Sequence, residues 1–106
     1  IYNRIVKLNA NDFSVEEEIY IPSQNTGMLN AYCVRGQYLY FSANDNYSWS
    51  TNPRVYEYDL VNKKLVRSWA TTSLVGSMEV SPDLKTLYLT EDGSFNRTSY
   101  IKLREN

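Results

Sequence analysis

The chain has 106 residues, enough for one domain, and its 11 basic and 12 acidic residues leave a formal charge of −1, so it lacks the basic footprint of a nucleic-acid binder. Histidine is absent and Cys33 is the single cysteine; that excludes an intrachain disulfide and a thiolate metal cluster, and it removes the commonest general base and metal ligand. No apolar run approaches the ~20 residues of a membrane span.

Taken in order, residues 4–9 and 15–21 read as two strands around a short polar turn. Asp12 to Glu18 resembles a capped helix start, but it matches a later strand, and Glu16-Glu17-Glu18 fits a solvated strand face or edge. Residues 29–34 and 38–43 follow, joined by Arg35-Gly36-Gln37, with Cys33 in the apolar run Ala31-Tyr32-Cys33-Val34 as a buried structural residue. In residues 54–60, Val55, Glu57 and Asp59 alternate with Tyr56, Tyr58 and Leu60, the period of two that marks a strand. A short turn leads to residues 65–70. Residues 77–81 and 86–91 flank Pro82-Asp83-Leu84-Lys85, where Pro82 presets φ for a turn and Asp83 can accept nearby backbone N–H groups. Residues 99–104 form a ninth strand. β-Branched and aromatic residues dominate these runs, and no segment carries a convincing 3.6-residue amphipathic period.

The elements repeat. Arg4-Ile5-Val6-Lys7-Leu8-Asn9 recurs fifty residues later as Arg54-Val55-Tyr56-Glu57-Tyr58-Asp59, and Tyr100-Ile101-Lys102-Leu103 echoes it again. Leu39-Tyr40-Phe41-Ser42 recurs as Leu87-Tyr88-Leu89-Thr90. Repeats of this length built from four short strands are the pattern of propeller blades. Lettering strands a to d from the axis outward, the expected architecture is all-β: a c–d hairpin at 4–21, a full four-stranded antiparallel blade at 29–70 and a partial a–b–c blade at 77–104, one β-propeller segment over residues 1–106.

Met78-Glu79-Val80-Ser81-Pro82-Asp83-Leu84-Lys85-Thr86-Leu87-Tyr88-Leu89-Thr90 resembles the repeat of YVTN-type β-propellers: an apolar strand, Ser-Pro-Asp-Gly-x, then a Leu-Tyr-Val-Thr-like strand. Residues 55–66 resemble its outer hairpin. Leu84 stands where the family usually has Gly, and the first a–b turn lacks the Ser-Pro-Asp start. The resemblance implies propeller architecture. It also implies one of several settings: extracytoplasmic binding proteins, surface-layer or adhesion proteins, or lactonase-like enzymes. An extracytoplasmic location is the expectation. A propeller closes with four to eight blades, so the partners implied are the remaining blades of a larger polypeptide or identical chains completing a ring. The phase, from a c strand to a c strand, suits a piece of a larger propeller and also strand exchange between neighbours.

A function is expected at one end of the sheets. The a–b and c–d turns are short, whereas the long connections, 22–28, 44–53, 71–76 and 92–98, share the other end, where rigid scaffolds present binding residues. Residues 44–53 (NDNYSWSTNP) combine rings with amide and hydroxyl groups. The ligand-binding candidates are therefore Asn44, Tyr47, Trp49 and Phe95. Asp45, Glu91 and Asp92 follow the two b strands and are the carboxylates that could converge on a cation, although no Asp-x-Asp-x-Asp motif is present; no cofactor is indicated. Asn46 and Asn96 head formal glycosylation sequons. Without His or a nucleophile setting, the expectation is a non-catalytic binding module. The alternatives are part of a lactonase-like enzyme, whose catalytic residues would lie in other blades, and a structural or interaction scaffold.

Overall fold

The computed structural model describes residues 4–20, 28–44, 53–73, 75–91 and 97–104. They form nine strands: β1 (Arg4–Leu8), β2 (Val15–Tyr20), β3 (Met28–Arg35), β4 (Tyr38–Asn44), β5 (Arg54–Asp59), β6 (Lys64–Ala70), β7 (Val75–Val80), β8 (Thr86–Glu91) and β9 (Arg97–Lys102). These are the nine expected strands, with ends shifted by two residues or fewer. The described residues contain no helix, and so none long and apolar enough to cross a membrane.

The strands make three antiparallel sheets in which sequential strands are neighbours: β1-β2, β3-β4-β5-β6 and β7-β8-β9. Their four short turns share one device. Phe13, Gly36, Lys63 and Leu84, one per turn, have φ of 61°, 62°, 56° and 65°. Tight hairpins need a left-handed residue because its twist matches that of the flanking strands. Only one of the four positions has the residue without a steric cost there. Leu84 holds the position at which the repeat pattern expects Gly.

Side chains hold these turns closed. Asp83 accepts from the Ser81 hydroxyl at 2.6 Å and the Lys85 N–H at 3.0 Å, while Ser81 Oγ accepts from the Thr86 N–H at 3.1 Å. Asp59 accepts from the Val61 and Asn62 N–H groups at 2.9 and 3.1 Å, and Gln37 Nε2 reaches it from the β3–β4 turn. These bonds hold both carboxyls below the usual carboxylate range, through the Ser81 hydroxyl for Asp83 and the Asn62 N–H for Asp59.

Phe13 is 72% exposed, so its left-handed backbone is strained with little burial in return. Phe13→Gly should raise stability by about 0.5–1 kcal/mol, the relief of an αL side-chain clash less the added chain entropy of Gly. Thermal denaturation measures it, and an unchanged or lowered midpoint would contradict the account. Leu84→Gly should lack this gain, because the Leu84 side chain packs against the core.

The four-stranded sheet lies between the other two. One face carries Tyr40 and Val55, which pack with Val80, Leu87, Leu89 and Leu103 of the β7–β9 sheet and its C-terminal extension. The opposite face carries Leu39, Phe41, Ala43 and Tyr56, which pack with Ile5 and Ile19 of β1–β2. β4 is therefore buried on both sides, from Leu39 to Asn44. β3 packs against β7. A side chain at Gly36 would meet Leu84 Cδ1 at 3.7 Å, so the β3–β4 and β7–β8 turns lie at one end and the two strands run the same way.

A repeated irregularity accompanies this stacking. The β3–β4 register shifts between Leu29 and Ala31, and the β7–β8 register between Val75 and Ser77. Each bulge is followed by a hydroxyl contact across the pair: Ser42 Oγ accepts from the Ala31 N–H at 3.2 Å, and the Ser77 and Thr90 hydroxyls lie 2.9 Å apart. A bulge bends and twists the strand that carries it, and here it does so at the same point in both β3 and β7.

Candidate binding face

Because the short turns of the two larger sheets share an end, the C-termini of β4 and β8 and the N-termini of β5 and β9 lie at the other. Asn44 closes β4 there. It is 1% exposed, and its Oδ1 accepts from Asn30 Nδ2, on the β3 bulge, at 3.1 Å. The Asn44 Nδ2 has no partner among the described residues. A buried amide N–H without an acceptor costs about 1–3 kcal/mol, so Asn44, the first residue of the 44–53 connection, has unused donor capacity.

Glu91 closes β8 and is also buried. Its Oε1 accepts from the Thr72 and Ser73 N–H groups at 2.8 and 3.0 Å, and its Oε2 from the Ser99 hydroxyl at 2.9 Å. It thereby pins the β6–β7 connection to β8 and β9. Among the described residues no three His, Cys, Asp or Glu side chains converge as a metal site would require. Tyr47, Trp49, Phe95, Asp45 and Asp92 lie outside the described residues, as do the sequon residues Asn46 and Asn96.

A second polar cluster, not anticipated from the sequence, lies toward the short-turn end. Glu57 of β5 is 1% exposed. Its Oε1 accepts from Arg67 Nε at 3.0 Å, and its Oε2 from Arg104 Nη2 at 3.3 Å and from the Tyr40 hydroxyl. Arg67 also donates to the Leu103 carbonyl and Arg104 to the Leu84 carbonyl. The guanidinium of Arg104 lies 4.4 Å from the Tyr38 ring centre, and that of Arg67 lies 4.7 Å from Trp69, within cation–π range. The Tyr40 phenol is driven well above its ordinary pKa by burial and then by its bond to Glu57. The cluster joins two sheets and presents no open acid or base. One signal was available: Glu57 shares a strand face with the apolar Val55, where an acid has to find partners.

Cys33 is half-buried, and desolvation pushes its thiol up to about 11. It stays a neutral thiol at physiological pH, unsuited to nucleophilic chemistry.

No family model, no curated protein and no solved structure matches this chain.

Proposed function

We propose that the three sheets are successive blades of a β-propeller and that its long-connection end is a non-catalytic binding surface for a ligand, a glycan or a protein. The observation that carries the blade reading is the stacking of sequential antiparallel sheets with β3 against β7, running the same way and bulged at the same point. Face-to-face stacking of such meanders is how propeller blades bury their apolar surfaces.

The binding reading rests on the composition of residues 44–53 and on Asn44, the first of them, a buried donor with spare capacity. Tyr47 and Trp49 supply rings on which a sugar or other flat ligand can stack. The test is a titration with a panel of soluble saccharides, followed by tryptophan emission. Trp49→Ala should weaken binding by about thirtyfold, the cost of truncating an aromatic hot spot of ~2 kcal/mol, while emission from Trp69, partly buried against the core, persists. If Trp49→Ala and Tyr47→Ala leave every detected interaction intact, that end is not the binding surface.

A further inference from the structure

We propose that Arg54 is the anion-binding residue of the long-connection end, and that the ligand taken there is a carboxylate-bearing saccharide. The inference rests on the saccharide reading of that end and adds a charge to it.

The fifty-residue repeat places Arg4 and Arg54 at the same point of their hairpins. Each begins its strand, and across the ladder they pair with Tyr20 and Ala70 respectively. Two residues before each of those partners stands the side chain that the arginine meets. In β1–β2 it is Glu18, whose Oε1 lies 2.7 Å from Arg4 Nε. In β5–β6 it is Ser68, whose Oγ accepts from Arg54 Nε at 3.1 Å and from Nη2 at 3.0 Å. The position of the contact is kept, but the negative charge is not. Arg54 is half-buried, and among the described residues it meets no carboxylate. It has β4 on one side and β6 on the other, so both ladders around it are filled.

A guanidinium carries five N–H donors in a planar fork. Ser68 takes one from Nε and one from Nη2, which leaves both Nη1 donors and the second one on Nη2. That free edge matches the two oxygens of a carboxylate. A partly desolvated cation with no counter-charge is also a group that gains by meeting an anion.

The neighbouring groups select the same chemistry. Glu18 is matched by Arg4, and Glu91 accepts from the Thr72 and Ser73 N–H groups and the Ser99 hydroxyl. Asn44, the first residue of the 44–53 connection, keeps a buried Nδ2 donor without a partner among the described residues, and Arg54 directly follows that connection. Their side chains leave opposite faces of the sheet, so the two donors address different parts of a ligand lying across its end. Spare capacity here is donor capacity. The complementary group is an acceptor, and the charge on Arg54 makes it an anion.

The probes are trigalacturonate and its methyl ester, the same saccharide with the charge removed, titrated into the full 106-residue protein by calorimetry. The acid should bind about tenfold tighter than the ester, the effect of one charge-assisted pair, and added salt should weaken the acid alone. Arg54→Gln should bring the acid down to the ester and leave the ester unchanged. Ser68→Glu, which rebuilds the Arg4–Glu18 arrangement in β5–β6, should do the same with the fold intact by circular dichroism. Arg4→Gln should leave the preference in place. Equal affinity for acid and ester would overturn the proposal, as would a preference that survives Arg54→Gln and Ser68→Glu. An equal loss in Arg4→Gln would also overturn it, assigning the preference to net charge. If the ester binds as well as the acid and Trp49→Ala weakens both, the saccharide reading stands and the role of Arg54 fails; if neither binds, both fall together.

Discussion

Glu57→Ala is expected to destabilise the protein by about 3 kcal/mol. Breaking a buried ion pair by removing one partner typically costs ~3–5 kcal/mol, because the charge left behind stays desolvated. Here Arg67 and Arg104 keep 39% and 32% of their side-chain surface exposed and can rehydrate in part, which places the loss at the low end. The Tyr40 hydroxyl cannot rehydrate. It is fully buried and donates to Glu57, so removing the carboxylate strands a polar group in the core.

Glu57→Gln should cost less, about 1–2 kcal/mol, since the amide oxygen still accepts from Tyr40 while the charge is lost. Urea unfolding of the single variants, with Tyr40→Phe to complete a double-mutant cycle, measures both numbers and their coupling. A Glu57→Ala variant within about 0.5 kcal/mol of the parent would mean that the cluster is incidental. Because Arg67 and Arg104 also hold the Leu103 and Leu84 carbonyls, the loosening should spread to β9 and the β7–β8 turn before the four-stranded sheet opens.

Phe41→Ala should be as costly, and in a different place. Phe41 is fully buried, and its ring stacks on Tyr56 with centroids 5.2 Å apart and planes 21° from parallel. It packs in the cluster that holds Ile5 and Ile19 against the four-stranded sheet. Truncating a buried Phe to Ala costs ~3–5 kcal/mol through lost burial and the cavity left behind. A two-stranded sheet is marginal by itself in water, so β1–β2 depends on this contact. Hydrogen exchange should speed up across β1 and β2 in Phe41→Ala, with β7–β9 little changed. Leu87→Ala, in the cluster on the opposite face, should reverse that pattern. Equal acceleration of all three sheets in both variants would show one cooperative core in place of two separable ones.

Local rules made most strands readable. The alternation in 54–60, the β-branched and aromatic runs and the turn residues at 35–37 and 82–85 act within a few residues of chain, and the ladders formed where these signals placed them. Leu84 stands where the resembled repeat has Gly, and the backbone there is left-handed. By contrast, Asp12 to Glu18 carried competing helix and strand signals. Pairing with β1, including the Arg4–Glu18 and Lys7–Glu16 ion pairs, gives the strand.

Asn44 is a ligand-binding candidate through the composition of 44–53, and Glu91 a candidate cation ligand through its position at the end of β8. That both would be buried, with Glu91 committed to the 71–73 connection, depends on contacts between strands far apart in sequence. Glu57 makes the same point. Its alternation with Tyr56 and Tyr58 suggested one wet face and one dry face, yet the sheet is covered on both sides, so Val55, Tyr56 and Glu57 are all buried.

The order of the chain was sufficient for an all-β fold, for where the strands lie and for which turns are tight, because backbone propensity, period and turn chemistry are short-range. Which faces are dry and which carboxylate is matched by two arginines were decided by stacking the three sheets. Burial and pairing of side chains are properties of surfaces brought together across the fold, and they exist only once those surfaces meet.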